Sequence, residues 1–244
     1  MYLYRFGFLC CFMMISSCKT VSVQGKQYQT TTKQVTLGAV GIDETYDFER
    51  TYSYSGIPNY TVPVKVQVTP IAFNKTKFKA FSTAREFQTS KVNLNFVDSL
   101  PEKPKFLNIE TFDIVGLINL LNSSENGPIK TYLQNQNQSH VVTNISIALN
   151  EKDMEDLTKA QAVFIEHIGL KTLGLSLYSN KTLTRTINFN DGVVFAYRAA
   201  SVCWRENSKY QLEIVELVEG DNRCPNQTYS SAKKAQKKVD YFNF

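Results

Sequence analysis

Apolar and polar residues alternate along much of the chain with a period of two, which is typical of strands with one buried and one solvated face. The clearest runs in the first hundred residues are 64–69, the neighbourhood of Phe78 and Phe81, and 92–97. We therefore predict a β-rich region over residues 35–100, built as an antiparallel sheet with one solvated face.

Helical patterns lie mainly in the middle of the chain. Residues 112–121 are apolar on nearly every side, with a cap near Thr111, so this helix is expected to be buried or docked. Pro128 suits the first turn of a second helix, and Asn150 suits the N-cap of a third.

Strand patterns dominate the remainder. They cover 141–149 and return from residue 163 onward, and the long run 193–204 is predicted to form a hairpin with 210–219. The expected fold class is α+β, a mostly antiparallel sheet with two to four helices clustered mid-chain and at the C-terminus. Residues 101–244 are the α+β region of this prediction, either as a separate domain or continuous with the β-rich region.

The first eighteen residues have the layout of a secretion signal. Arg5 precedes a short apolar stretch that ends at Ile15-Ser16-Ser17-Cys18. That stretch has roughly half of the ~20 residues that a membrane-spanning helix needs. An apolar residue, two small residues and a cysteine in this order resemble the lipobox of bacterial lipoprotein precursors. The resemblance covers residues 1 to about 20, and no family is recognised for the folded part.

This resemblance implies a signal peptide at residues 1–17 and a diacylglyceryl group on Cys18, which anchors the mature protein in the membrane. Lys19 stands where an aspartate would favour the inner membrane, so the outer membrane is expected. No acidic cluster follows Cys18, so we expect the protein to face the periplasm, with surface exposure left open. The polar segment 18–34 is predicted to be a flexible tether spanning roughly 20 Å.

Secretion from a eukaryotic cell is the alternative localisation, because the chain contains Asn-x-Ser/Thr sequons, which can carry glycans. They begin at Asn59, Asn74, Asn122, Asn137, Asn144, Asn180 and Asn226. A composition rich in Asn, Ser and Thr produces such triplets by chance, and Asn144 falls inside an apolar strand pattern that would obstruct a glycan. The bacterial interpretation is therefore preferred.

The formal net charge of +5 is concentrated at the two ends of the chain. Arg5 belongs to the signal, and residues 230–244 hold four lysines against one aspartate, which leaves the body of the protein nearly neutral. A general nucleic-acid binder carries a broad basic face, so the sequence predicts no nucleic-acid partner.

Cys203 and Cys224 are the cysteines that follow Cys18. In an oxidising periplasm an isolated pair favours a disulfide. In the predicted hairpin, however, Cys203 lies near the turn and Cys224 beyond the open end, roughly 20 Å away at the rise of a strand. A disulfide therefore requires the chain after Gly220 to fold back along the hairpin; otherwise the two thiols are free.

The sequence shows no catalytic, metal or cofactor signature. His140 and His167 are the two histidines, and neither has a metal ligand at a usual spacing. Nucleophile elbows, Walker loops and dinucleotide fingerprints are absent. Carboxylates cluster at 43–49 and 151–156, where solvated loops and helix caps are the expected roles. An enzyme is therefore the less favoured class.

Two further segments could contact a partner. Tyrosines and a phenylalanine are frequent in residues 46–60, where they can stack on sugars but more often pack on a sheet. At the C-terminus, Ser230 or Ser231 can cap a helix whose polar face would carry Lys233, Lys234, Lys237 and Lys238. A basic helix of this kind can touch anionic lipid or an acidic partner, or simply be solvated.

These features together predict a lipid-anchored envelope lipoprotein that works as a periplasm-facing binding or assembly module. Its expected partners are the membrane, through the acyl chains on Cys18, and an envelope protein or polymer. A hydrolase acting on envelope polymers and an immunity or inhibitor lipoprotein are the alternatives. A cleft with converging carboxylates or a Ser/His pair would favour the hydrolase, and an exposed apolar patch would favour binding.

Overall fold

The computed structural model describes residues 20–46, 49–90, 92–220 and 222–236. These residues form twelve strands and five α-helices. The strands are β1 (Thr20–Val23), β2 (Lys26–Thr30), β3 (Val40–Tyr46), β4 (Glu49–Gly56), β5 (Val64–Ala72), β6 (Lys105–Thr111), β7 (Ser139–Ala148), β8 (Ala162–Gly169), β9 (Thr172–Ser179), β10 (Thr182–Asn188), β11 (Val193–Glu206) and β12 (Leu212–Glu219). The helices are α1 (Lys75–Phe87), α2 (Ile114–Asn122), α3 (Gly127–Asn135), α4 (Glu151–Lys159) and α5 (Ala232–Ala235).

All twelve strands belong to one antiparallel sheet, with the order β1-β2-β11-β7-β6-β5-β8-β9-β10 along its main path. The sheet branches at its two longest strands. One edge of β11 is shared between β2 and β12, and one edge of β7 is shared between β3 and β6. Because β5 pairs with both β6 and β8, the regions 35–100 and 101–244 share this sheet.

Two apolar clusters cover the two faces of the sheet. Successive strand residues point to opposite faces, and accordingly Val194 belongs to the larger cluster whereas Phe195 belongs to the smaller one. Helices α2, α3 and α5 contribute to the larger cluster. Helix α1 covers the smaller one, where its Phe81 packs 5.5 Å from Phe73 between ring centroids.

The predicted fold class is confirmed in its main features, but the helices number five and α1 lies outside the mid-chain group. Residues around Phe78 and Phe81 were predicted as a strand and instead form α1. Asn74 caps this helix, because its side chain accepts a hydrogen bond of 2.9 Å from the backbone N–H of Lys77. Phe78, Phe81 and Ala84 then fall on one side of the helix.

The predicted strand at 92–97 is also wrong, since these residues belong to no strand or helix. Their alternating apolar side chains instead pack against the cluster that α1 covers. Val92 is buried in the α1 cluster, and Leu94 and Phe96 pack against it, with Phe96 stacked on Phe78 at 4.8 Å. The alternation with a period of two therefore places Val92, Leu94 and Phe96 on the same side of the chain, in contact with the α1 cluster.

The predicted tether at 18–34 is wrong for its described part, where β1 and β2 form a hairpin. Val21 and Val23 are buried while Ser22 between them is exposed, which is the strand period over a very short run. Gln24 and Gly25 make the turn, with φ of 50° and 78°. Two positive φ values in a two-residue loop suit the right-handed twist of a hairpin.

The predictions for the long hairpin and for the starts of α3 and α4 agree with the structure. The long hairpin is β11 with β12, and α3 begins at the residue before Pro128. Asn150 caps α4 by accepting from the backbone N–H of Asp153 at 2.9 Å. Helix α2 begins later than expected and is capped by Asp113, not near Thr111. No helix among the described residues has the length and apolar character needed to cross a membrane.

Candidate functional site

A polar cleft of about 830 Å³ lies over the part of the sheet where β3, β7 and β11 are adjacent. Gly41 of β3 pairs with His140 of β7, which in turn pairs with Ser201 of β11, so these residues form one row across the sheet. Residues of β2 and the chain after β12 complete the rim. The polar side chains that line the cleft are Gln27, Gln29, Asp43, Glu44, Asn137, Gln138, His140, Tyr197, Arg198 and Ser201.

A buried tyrosine supports the sheet beside the cleft. A Cβ atom on Gly41 would lie 2.8 Å from the ring of Tyr52 and 2.2 Å from the carbonyl oxygen of Ser53, so glycine allows this ring to pack closely. The Tyr52 hydroxyl lies 3.1 Å from the carbonyl oxygens of Ala39 and His140, to which it donates. Burial raises the pKa of Tyr52 well above its usual value, and the hydroxyl therefore stays a neutral donor.

Asp43 is held in the cleft by a hydrogen bond from a buried residue. The hydroxyl of Tyr197 donates to Oδ1 of Asp43 at 2.6 Å. A hydrogen bond to an ionised carboxylate is stronger than one between neutral groups. This bond crosses from β11 to β3 and fixes the position of the carboxylate at the wall of the cleft.

Ser201 and His140 face each other on adjacent strands. The Ser201 hydroxyl lies 3.1 Å from Nδ1 of His140, and the tautomer of the imidazole decides which group donates. A serine next to an imidazole nitrogen is the basic pairing of nucleophilic catalysis. The same contact also serves as an ordinary cross-strand hydrogen bond that orders the side chains lining the cleft.

The positive charge of the Arg198 side chain in the cleft is neutralised by a carboxylate of the protein. Arg198 forms an ion pair of 2.6 Å with Glu219, and its guanidinium lies 5.7 Å from the ring centroid of Tyr28. The second carboxylate oxygen of Glu219 accepts a hydrogen bond from Thr143. Among the described residues of the lining, Asp43 and Glu44 add two formal negative charges to the internally paired Arg198 and Glu219.

The carboxylate clusters predicted as loop and cap residues divide between two places. Asp43 and Glu44 lie in the cleft, whereas the side chains of Asp47 and Glu49 lie outside the described residues. In the second cluster Asp153 is almost fully buried and pairs with Arg185, which also binds Asp156. This cluster ties α4 to β10, so its role is more than a solvated cap.

The two histidines are not brought together. His140 lies in the cleft on β7, while His167 lies on β8, three strands away along the sheet, with its ring near that of Tyr60. Within residues 20–46, 49–90, 92–220 and 222–236, no group of three or more His, Cys, Asp or Glu side chains is placed to hold a metal ion.

The predicted packing of the tyrosine-rich segment is confirmed for Tyr52 and Tyr60, which are buried. Tyr54 is more exposed and donates from its hydroxyl to the carbonyl oxygen of Gln34 at 2.9 Å. The Tyr46 side chain and Phe48 lie outside the described residues. These rings are therefore mainly structural.

At the C-terminus, Lys233 and Lys234 line a groove with Arg205 and Tyr229, about 910 Å³ in volume. Ala232 and Ala235 of α5 are buried, so this short helix packs on the sheet through its small side chains. Lys237 and Lys238 lie outside the described residues, so the four lysines are not seen as one face. Cys203 and Cys224 form a disulfide.

The sequence directed attention to His140 and to the carboxylates at 43–49, but it did not predict that they line one cleft. Tyr197, Arg198 and Ser201 are part of a long strand pattern, and their meeting with Asp43 depends on β3 lying beside β7. No local motif carries this information. No protein-family model, curated protein or solved structure matches the chain.

Proposed function

We propose that this chain is a lipid-anchored envelope protein that binds a polar envelope component in the cleft and acts as a binding or assembly module. The observation that carries the proposal is the cleft itself. Strands β2, β3, β7 and β11 direct amide, carboxylate, imidazole and hydroxyl groups toward one concave surface. Ligand sites are concave and use converging polar groups to orient the ligand, which makes this concave surface a candidate binding site.

The chemistry of the lining favours a neutral or cationic ligand rich in hydrogen-bonding groups. Glutamine and asparagine side chains both donate and accept, which suits hydroxyl and amide groups. Because Arg198 is already paired with Glu219, the lining offers an anion little free positive charge. Saccharides, or peptides with a free amine, fit this description, and both occur in bacterial envelopes.

The anchor in this proposal is the acylated Cys18, with the folded domain facing the periplasm from the outer membrane. Intact mass and membrane fractionation of the full-length protein, compared with Cys18→Ala, test it in a bacterium with two membranes. Acylated mature protein should sediment with the membranes, and the variant should not. Soluble, unmodified protein in both cases would refute the anchor.

Hydrolysis of an envelope polymer is the second candidate, and the pair Ser201 and His140 favours it. In this reaction the Ser201 oxygen would attack an acyl carbon while His140 accepts its proton. The bond from the acyl carbon to the leaving amine or alcohol would then break, and the leaving group would take that proton from His140. Water would later hydrolyse the acyl–Ser201 ester, which frees the carboxylic acid and restores Ser201. Release of soluble fragments from purified sacculi distinguishes the candidates. Ser201→Ala should abolish release if the protein is a hydrolase, whereas a binding module releases none in either form.

A further inference from the structure

The folded sheet begins almost directly after the expected lipidation site. Thr20, the first residue of β1, is two residues beyond Cys18. Consecutive Cα atoms are about 3.8 Å apart, so the Cα atoms of Cys18 and Thr20 are separated by at most about 8 Å. Thr20 pairs with Gln29, and Val21 beside it is buried. An acyl group on Cys18 would thus hold the edge of the sheet itself at the membrane.

The strand pairing of β1 shows which end of the sheet would lie next to the lipid anchor. Gln29, the partner of Thr20, pairs with Tyr197 in the first half of β11. The last residue of β11, Glu206, is nine residues further along the strand. At the rise of a strand this distance is about 30 Å. The β11–β12 turn therefore lies at the end of the sheet that is remote from the anchor.

The end near the anchor carries an exposed aromatic ring. Phe87 is the last residue of α1, and its side chain is 71% exposed. Gln88, which follows it, holds this end of the helix in place by donating to the carbonyl oxygens of Val194 at 2.6 Å and Thr32 at 3.3 Å. Lys33, next to Thr32, is also exposed. The Gln88–Thr32 hydrogen bond brings the segments that carry Phe87 and Lys33 together. Exposed aromatic rings and cations are typical of protein segments at the boundary between headgroups and acyl chains.

We infer that the end of the molecule formed by Thr20, Lys33 and Phe87 rests on the lipid surface, with Phe87 at the acyl boundary and Lys33 among the headgroup phosphates. The inference rests on the proposed acylation of Cys18. It fixes the orientation of the domain, which a long tether would leave free. Since Gln29 lines the cleft and is the strand partner of Thr20, the rim of the cleft would lie within about 15 Å of Cys18. The ligand would then be one found close to the membrane.

Fluorescence quenching by brominated lipid tests this orientation. The acylated full chain carrying Phe87→Trp is reconstituted into vesicles of phosphatidylethanolamine and phosphatidylglycerol with brominated acyl chains. Tyr210→Trp, in the β11–β12 turn, is the matched control because Tyr210 is 72% exposed. The tryptophan fluorescence in excess of that of the parent protein is compared between brominated and unbrominated vesicles. For Phe87→Trp we expect this excess fluorescence to be at least twofold lower in brominated vesicles. For Tyr210→Trp we expect it to be the same in both. The native Trp204 is buried and common to both proteins.

A third protein separates the anchor from the orientation. Inserting fifteen glycine and serine residues between Lys19 and Thr20 should leave membrane binding intact and remove the quenching at Phe87→Trp. Equal quenching at both positions, or none at either in vesicle-bound protein, would overturn the inference while leaving the anchor standing. Failure of the parent protein to bind vesicles through Cys18 would instead refute the proposed lipidation.

Discussion

Cys203 and Cys224 are joined by a disulfide, and their Cα atoms are 5.6 Å apart. Cys203 lies in β11 close to the β11–β12 turn, whereas Cys224 follows the end of β12. The chain beyond β12 turns back along β11, and Trp204 and Tyr229 exchange backbone hydrogen bonds of 2.8 and 2.9 Å. The disulfide and this bridge hold the C-terminal segment on the sheet, so that Ala232 and Ala235 reach the core.

Reducing this disulfide should destabilise the protein. The two cysteines are 21 residues apart, and closing a loop of that size contributes about 3 kcal/mol in the chain-entropy model. Guanidinium unfolding of the oxidised protein and of the Cys203→Ser/Cys224→Ser variant should show this loss. Unfolding midpoints that coincide would mean that the C-terminal segment is held by its other contacts.

Removing the ring of Phe81 should be among the most damaging changes to the core. Phe81 is fully buried between α1 and the sheet, and truncating such a side chain costs about 3–5 kcal/mol. Phe87→Ala, on the exposed end of the same helix, is the control and should change the free energy of unfolding by less than about 0.5 kcal/mol. Comparable losses for both variants would contradict the packing of α1 described above.

Stability should fall at alkaline pH because of buried tyrosines. Burial raises the pKa of Tyr60 above its ordinary value of 10.0, so the folded protein keeps a proton that the unfolded chain releases. The Tyr60 contribution is then constant below pH 10 and is lost as the pH rises above it. Urea unfolding between pH 8 and 11 should show this slope.

The variant Tyr60→Phe tests whether Tyr60 causes the loss of stability above pH 10. It should be less stable than the parent by about 1 kcal/mol at pH 8, because the Tyr60 hydroxyl donates to the carbonyl oxygen of Gly38 at 3.0 Å. Above pH 10 its stability should decline less steeply than that of the parent. Parallel curves would show that Tyr60 does not cause the loss.

Much of the strand pattern could be predicted because the period of two is a local property. The hairpin of β11 and β12, the position of Pro128 in the first turn of α3 and the Asn150 cap of α4 followed from residues close together in sequence. Helix α1 was missed because Phe78 and Phe81 were interpreted with the strand period, whereas in the structure they lie on one side of a helix that Asn74 caps. The hairpin of β1 and β2 was missed because it buries few large side chains in a polar segment.

The cleft could not be predicted for a different reason. Its residues come from strands far apart in the chain, and Asp43 meets Tyr197 because β7 lies between β3 and β11. Hydrophobic patterns identify strands but do not state their order in a sheet. The disulfide depended in the same way on the path of the chain after Gly220, which spacing alone left open.

Binding of an envelope polymer by the cleft is the central claim, and cosedimentation tests it most directly. The acylated protein in detergent is sedimented with purified peptidoglycan sacculi, which offer saccharides and peptides with free amines, alongside Asp43→Ala and the α1 surface control Glu86→Ala. Losing a hydrogen bond to a charged group costs about 1.5–3 kcal/mol, so Asp43→Ala should bind at least roughly tenfold more weakly while Glu86→Ala binds like the parent. Equal binding by all three proteins, or binding by none of them, would contradict the claim.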